Sequence, residues 1–114
     1  MQYKVTIDVS PYVSALYNRY EGDLTKKQWL KKEKINQKAI EYVKNKLCEH
    51  DFSHIENAAF YFKQHDILTY DVEIIFTWQE KENIYVWRSE VKQDIRTIYN
   101  VFAGQFIVAS NVVV

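Results

Sequence analysis

The segment "ILTYDVEIIFTW" (67–78) constrains the fold most. Leu68, Tyr70, Val72, Ile74, Phe76 and Trp78 recur at every second position, with Thr69, Asp71, Glu73 and Thr77 among the residues between them. Successive side chains of an extended chain point to opposite faces, so this pattern predicts a strand with one buried face. "QEKE" then turns the chain and "NIYVWRSEV" (83–91) returns as a second strand. A loop at 79–82 pairs Phe76 with Tyr85, Ile74 with Trp87 and Tyr70 with Val91, and sets Glu73 opposite Arg88. Slipping by one residue would place Arg88 against Ile74, so this register is the expected one.

Other elements follow from the same periodicities. "QYKVTIDV" (2–9) alternates and reads as a strand. Ser10 reads as an N-cap with Pro11 at the first helical position, and Tyr12, Val13, Leu16, Tyr17 and Tyr20 predict a helix over 11–20. Thr25 and Gln28 have capping-box spacing, with Leu24 and Trp29 placed as a hydrophobic staple. One long helix from there to Glu49 would put Trp29, Asn36, Ile40, Val43 and Leu47 on one face, with Ala39 at its margin. "AAFYFK" (58–63) reads as a short strand. Val91, Ile95, Ile98 and Phe102 read as a helix that stops at Gly104. "QFIVASNVVV" (105–114) reads as a closing strand, apolar on both faces, either interior or covered by a partner.

The expected order is β-α-α-β-β-β-α-β in a single globular domain, 1–114. The expected fold class is α+β, a single-layer, mostly antiparallel sheet with helices on one face. This is close to a ferredoxin-like split βαβ sandwich; the alternative is a cystatin-like sheet wrapped on the long helix. With 114 residues the chain is long enough to bury a core without metal or disulfide support. Its single cysteine allows no internal disulfide and points to a reducing compartment, so a cytoplasmic location is expected. The N-terminus lacks the pattern of a signal peptide, and no apolar run reaches membrane-span length.

Net charge is zero, which argues against a globally basic nucleic-acid binder. The charge is unevenly distributed: residues 26–49 hold eight lysines against three glutamates. Lys27, Lys31, Lys34 and Lys38 would form one stripe on the outer face of the long helix. Like charges four residues apart disfavour a helix by roughly 0.2–0.5 kcal/mol per pair, and Glu33 lies toward the core side, poorly placed to relieve them. Taken alone the stripe is most simply a solvated face. The functional reading is a contact for an anionic partner.

The open face of the expected hairpin offers no stacking rings and no surplus of positive charge, which counts against single-stranded RNA. It does gather Ile75, Ile84 and Val86, with Thr77 between them, where water-facing positions ought to be polar. That cluster reads as a docking patch for another protein or a second copy. Cys48, His50, His54 and His65 fall within eighteen residues of one another. His50 and His54 would share a helical face, a spacing that binds zinc when further ligands converge, but Cys48 points elsewhere if the helix continues, so a metal site is the lesser reading, and no cofactor or catalytic residue is assigned. The resulting expectation is a small non-enzymatic interaction domain, an accessory or inhibitor protein whose partner is another protein or, as a homodimer, a second copy of itself. It would use Ile75, Thr77, Ile84 and Val86 as one contact and the four lysines as another. The alternatives are a sequence-nonspecific nucleic-acid binder using the lysine helix on phosphate, then a metal-dependent enzyme using the Cys/His cluster.

Overall fold

The computed structural model describes residues 2–50, 52, 57–77, 84–102 and 107–112, with 84–88 and 107–112 as backbone. The elements are β1 (Gln2–Asp8), α1 (Ser10–Asn18), α2 (Lys26–Lys32), α3 (Ile35–Glu49), β2 (Ala58–Gln64), β3 (Tyr70–Thr77), α4 (Ile84–Val101) and β4 (Ile107–Val112). The strands form one sheet in the order β2-β3-β1-β4, and all neighbours are antiparallel.

The two central strands set the core. On β1 and the residue after it, Tyr3, Val5, Ile7 and Val9 are buried; on β3, Tyr70, Val72, Ile74 and Phe76 are buried. Each such side chain contributes roughly 1.5–3 kcal/mol on leaving water, so eight of them fix which face turns inward. Val13 of α1, Trp29 of α2, Ile35, Ala39, Val43 and Leu47 of α3, and Val91 and Ile98 of α4 join the same cluster. The helices therefore share the buried face, and Lys4, Thr6, Glu73 and Ile75 lie on the other.

The start of α1 is tied to β3. Ser10 N–H donates to Asp8 Oδ1 at 2.9 Å, while Ser10 Oγ accepts the Tyr70 N–H at 2.9 Å and donates to the Tyr70 carbonyl at 3.3 Å. Ser10 is thus the first helical residue rather than the cap, and Asp8 satisfies its backbone.

Residues 84–91 do not form the returning strand of a hairpin; they are the opening turns of α4. The pairings of Phe76 with Tyr85, Ile74 with Trp87 and Tyr70 with Val91, and the Glu73–Arg88 apposition, are replaced. Ile74 sits instead between Val5 and Phe60, and Glu73 between Thr6 and Tyr61. Both edges of β3 are taken by β1 and β2, which leaves no edge for a hairpin partner. The sequence also permits the helix: Ile84, Trp87, Val91, Ile95, Ile98 and Phe102 recur at intervals of three and four. Trp78 and the turn at 79–82 lie outside the described residues.

The long helix expected from Thr25 to Glu49 breaks after Lys32. Lys34 adopts φ 51°, ψ 52°, a left-handed conformation, and α3 begins at Ile35. The cause lies in the spacing of Trp29 and Ile35. In one continuous helix six residues rotate these side chains about 120° apart, so one of them would face water. With the break both are buried, and Asn36, expected on the inner face, is exposed. A non-glycine residue in this conformation costs roughly 1–2 kcal/mol, which burial of one large apolar side chain offsets.

Leu68 precedes β3 in the turn and is 65% exposed rather than buried. The closing strand β4 pairs with β1 alone among the described residues and lies at the margin of the sheet, not inside it.

Candidate interaction surface

The helix break gathers a site. Thr25 Oγ1 accepts the Gln28 N–H at 3.3 Å and Gln28 Oε1 accepts the Thr25 N–H at 3.1 Å, so the expected capping box starts α2. Trp29 anchors it inward, with ring centroids 5.0 Å from Tyr17 and 6.2 Å from Tyr20. This orientation sends Lys27 and Lys31 to the outer side, and the left-handed turn brings Lys34 beside them. The three lysines rim a hollow of about 620 Å³. Its floor is apolar: Leu30, Ile35, Phe62 and Ile67. Asn36 and Gln64 complete it, and among the described residues no acidic side chain lines it.

Ile67 reaches the hollow from the turn between β2 and β3, which is closed by its own hydrogen bonds. Asp66 accepts the Leu68 N–H at 2.7 Å and the Thr69 hydroxyl at 3.3 Å. The Tyr70 hydroxyl donates to the Ile67 carbonyl. The Leu68 N–H holds the Asp66 carboxyl below the usual carboxylate range, as do the lesser contributions of Thr69 and His65. A turn fixed in this way presents Ile67, 43% exposed, as a stationary wall of the hollow.

Lys38, the fourth residue of the expected stripe, is directed elsewhere. Its Nζ donates to Glu33 Oε2, and it borders a second hollow of about 390 Å³ with Tyr12, Glu41, Tyr42, Asn45, Lys46 and Glu49. Glu33, expected to be poorly placed, is the partner that relieves the lysine charge, because the break swings Lys38 toward it. That hydrogen bond is the main cause of the lowered Glu33 pKa. The second hollow is walled by the Tyr12–Tyr42 stack, with centroids 4.2 Å apart and planes 5° apart. Its two lysines and two glutamates leave it without a preferred sign.

The expected apolar patch is not assembled as a hairpin. Ile75 is half-buried and Thr77 exposed on the open face, where Gln2 donates to the Thr77 hydroxyl at 3.3 Å. Ile84 and Val86 belong to α4, and their side chains lie outside the described residues. Lys4 pairs with Glu73 at 3.8 Å on the same open face, and Tyr61 of β2 stands there 48% exposed. Among the described residues no three His, Cys, Asp or Glu side chains are arranged to hold a metal. Cys48 and His50 are exposed, His65 is paired with Asp71, and His54 lies outside the described residues. No described helix is long and apolar enough to cross a membrane.

Reading charge alone finds the lysines and misses the floor of the hollow. The overlooked residues are Leu30, Ile35, Phe62 and Ile67. The available signal was the six-residue interval between Trp29 and Ile35, which a straight helix cannot reconcile with two inward side chains. No protein-family model, curated protein or solved structure matches the chain.

Proposed function

We propose that this chain is a non-enzymatic interaction domain that holds an acidic segment of a protein partner in the hollow between α2, α3 and the β2–β3 turn. The observation that carries the reading is the joining of charge to apolar surface at one place. Lys27, Lys31 and Lys34 stand around Leu30, Ile35, Phe62 and Ile67, and among the described residues no carboxylate lines the hollow. A cationic rim steers an anionic partner and fixes its register, while an apolar floor supplies the area from which affinity comes. A purely solvated lysine face has no such floor.

Nucleic acid is the competing occupant, since phosphate also seeks lysine clusters. Against it, among the described residues no arginine lines the hollow for bidentate phosphate contacts, and the one ring there, Phe62, is half-buried rather than free to stack on a base. The fold reading that goes with this proposal is ferredoxin-like, with two additional helices before β2. Its support is the order β2-β3-β1-β4 with antiparallel neighbours, which is what two interlocked split βαβ units produce.

Fluorescence anisotropy with a labelled glutamate-rich peptide and a labelled DNA duplex, each at low and at physiological salt, tests the reading. The peptide is expected to bind, and the triple variant Lys27→Glu, Lys31→Glu, Lys34→Glu to abolish binding. Duplex binding that is tighter than peptide binding at both salts, and lost in the same variant, would transfer the site to nucleic acid.

A further inference from the structure

The hollow adjoins an open sheet edge. β2 is the outer strand on its side, and Phe62 and Gln64 belong both to β2 and to the lining of the hollow. The direction of its backbone groups follows from two hydrogen bonds. Across β1–β3 the Val9 N–H donates to the Tyr70 carbonyl at 2.9 Å, and across the β2–β3 turn the His65 N–H donates to the Thr69 carbonyl at 3.0 Å. In an antiparallel ladder, backbone groups of alternate residues point to opposite sides. Tyr70 therefore addresses β1 and Thr69 addresses β2. On β2, His65, Lys63, Tyr61 and Ala59 address β3, leaving the N–H and C=O groups of Ala58, Phe60, Phe62 and Gln64 directed outward. No hydrogen bond to those outward groups occurs among the described residues.

A seven-residue edge strand whose outward donors and acceptors have no partner among the described residues is a template for another strand. The devices that normally close such an edge are weak here. Lys63 is the one charged residue of β2, and it sits on the face away from the hollow. Cationic character continues along the edge on the helix side, where Lys44 Nζ lies 4.9 Å from the centre of the Phe60 ring. The outward backbone groups and the groove-facing side chains of β2 belong to the same residues. A strand added to this edge would therefore place alternate side chains directly against the apolar floor and the lysine rim.

We infer that the partner segment binds extended, as an added strand on β2, with alternate apolar and acidic side chains entering the hollow. This rests on the assignment of the hollow to an acidic protein segment and adds the conformation in which that segment is held. Main-chain hydrogen bonds supply affinity without regard to sequence, and the hollow selects valine- or leucine-like and glutamate-like side chains at every second position. A second copy of this chain is the other possible occupant of the edge, but its β2 would bring Lys63, and no carboxylate, to the lysine rim.

The test uses the full chain, labelled with ¹⁵N, and the soluble peptide Ser-Val-Thr-Glu-Thr-Glu-Ser. Two methylated forms accompany it, one carrying N-methyl groups on the Val and Glu residues and one on the Thr residues. Amides of Phe60, Phe62 and Gln64 are expected to become protected from hydrogen exchange on binding. Only one methylated set should lose affinity, by about tenfold per blocked hydrogen bond, because only alternate peptide N–H groups face β2. If the peptide binds in a lysine-dependent way while both methylated forms bind equally and the β2 amides stay unprotected, strand addition is wrong and the hollow assignment survives. If the peptide fails to bind, both fall. If the free chain is already a dimer with those amides protected, the edge belongs to a second copy and the inference is overturned.

Discussion

The Lys38 ammonium lies 2.9 Å from the Glu33 carboxylate, a pair that spans the left-handed turn at Lys34. It separates Lys38 in space from the other three lysines, which line a different hollow. Lys38→Ala is expected to leave affinity for an acidic peptide unchanged, while Lys31→Ala weakens it and flattens its salt dependence. Equal losses in the two variants would restore a uniform stripe and remove the hollow as the site.

The strain at Lys34 is measurable. Glycine adopts the left-handed region without the clash of a Cβ atom, so Lys34→Gly is expected to stabilise the fold by up to about 1 kcal/mol. In a domain of this size that raises the melting temperature by a few degrees. A clear loss of stability would mean that the lysine side chain, not the turn, matters most there.

Ile74 and Ile75 are neighbours in sequence on opposite faces of β3. Ile74 is fully buried between Val5 and Phe60, whereas Ile75 lies across from Lys4 and Ala59 on the open face. Urea denaturation should show Ile74→Ala costing about 2–5 kcal/mol and Ile75→Ala well under half of that. Similar losses would place both side chains inside and undo the face assignment.

Tyr3 stacks on Phe76 with centroids 4.8 Å apart, and its hydroxyl donates to Asp94 Oδ2 at 3.3 Å. Burial, then the Asp94 charge, pushes its pKa far above the ordinary tyrosine value. A raised folded pKa leaves its stability contribution intact below the unfolded value near 10 and removes it as pH rises beyond that. Alkaline unfolding should therefore begin near the ordinary tyrosine pKa. Tyr3→Phe should move that limb to higher pH at a cost of about 0.5–1.5 kcal/mol at neutral pH. Ultraviolet titration of phenolate checks it: an alkaline limb unmoved in Tyr3→Phe would exclude Tyr3 as its source.

The capping box makes a local prediction. Thr25→Ala removes the acceptor for the Gln28 N–H and should destabilise by about 0.5–2 kcal/mol, read by denaturation. Because α2 carries Lys27 and Lys31, peptide affinity should fall with it. Unchanged stability would mean that Trp29 alone holds α2 in place.

Where one periodicity fitted a segment, the fold was legible in the sequence. β1, β3 and the capping box at Thr25 are examples, since strict alternation and a paired Thr and Gln each have one physical interpretation. Where two periodicities fitted, the choice was made by the rest of the molecule. Residues 84–91 are rich in β-branched and aromatic side chains, yet they also continue the spacing of Val91, Ile95 and Ile98. Pairing of β3 with β1, nearly seventy residues earlier in the chain, decides for the helix. The hollow was legible only in its charges, because Phe62 and Ile67 reach it from a different part of the chain.

The placement of β1 in the sheet also bears on synthesis. Gln2 pairs with Thr77 and Asp8 with Asp71, so β1, made before the other three strands of this sheet, has no neighbour until β3 follows it out. Until then Tyr3, Val5 and Ile7 are a sticky, unpaired ribbon, and α1, α2 and α3 have no sheet on which to lie. The nascent chain passes through a long vulnerable interval in which holdase chaperones would find their natural target. A ribosome stalled before Tyr70 would display that ribbon to every other chain nearby.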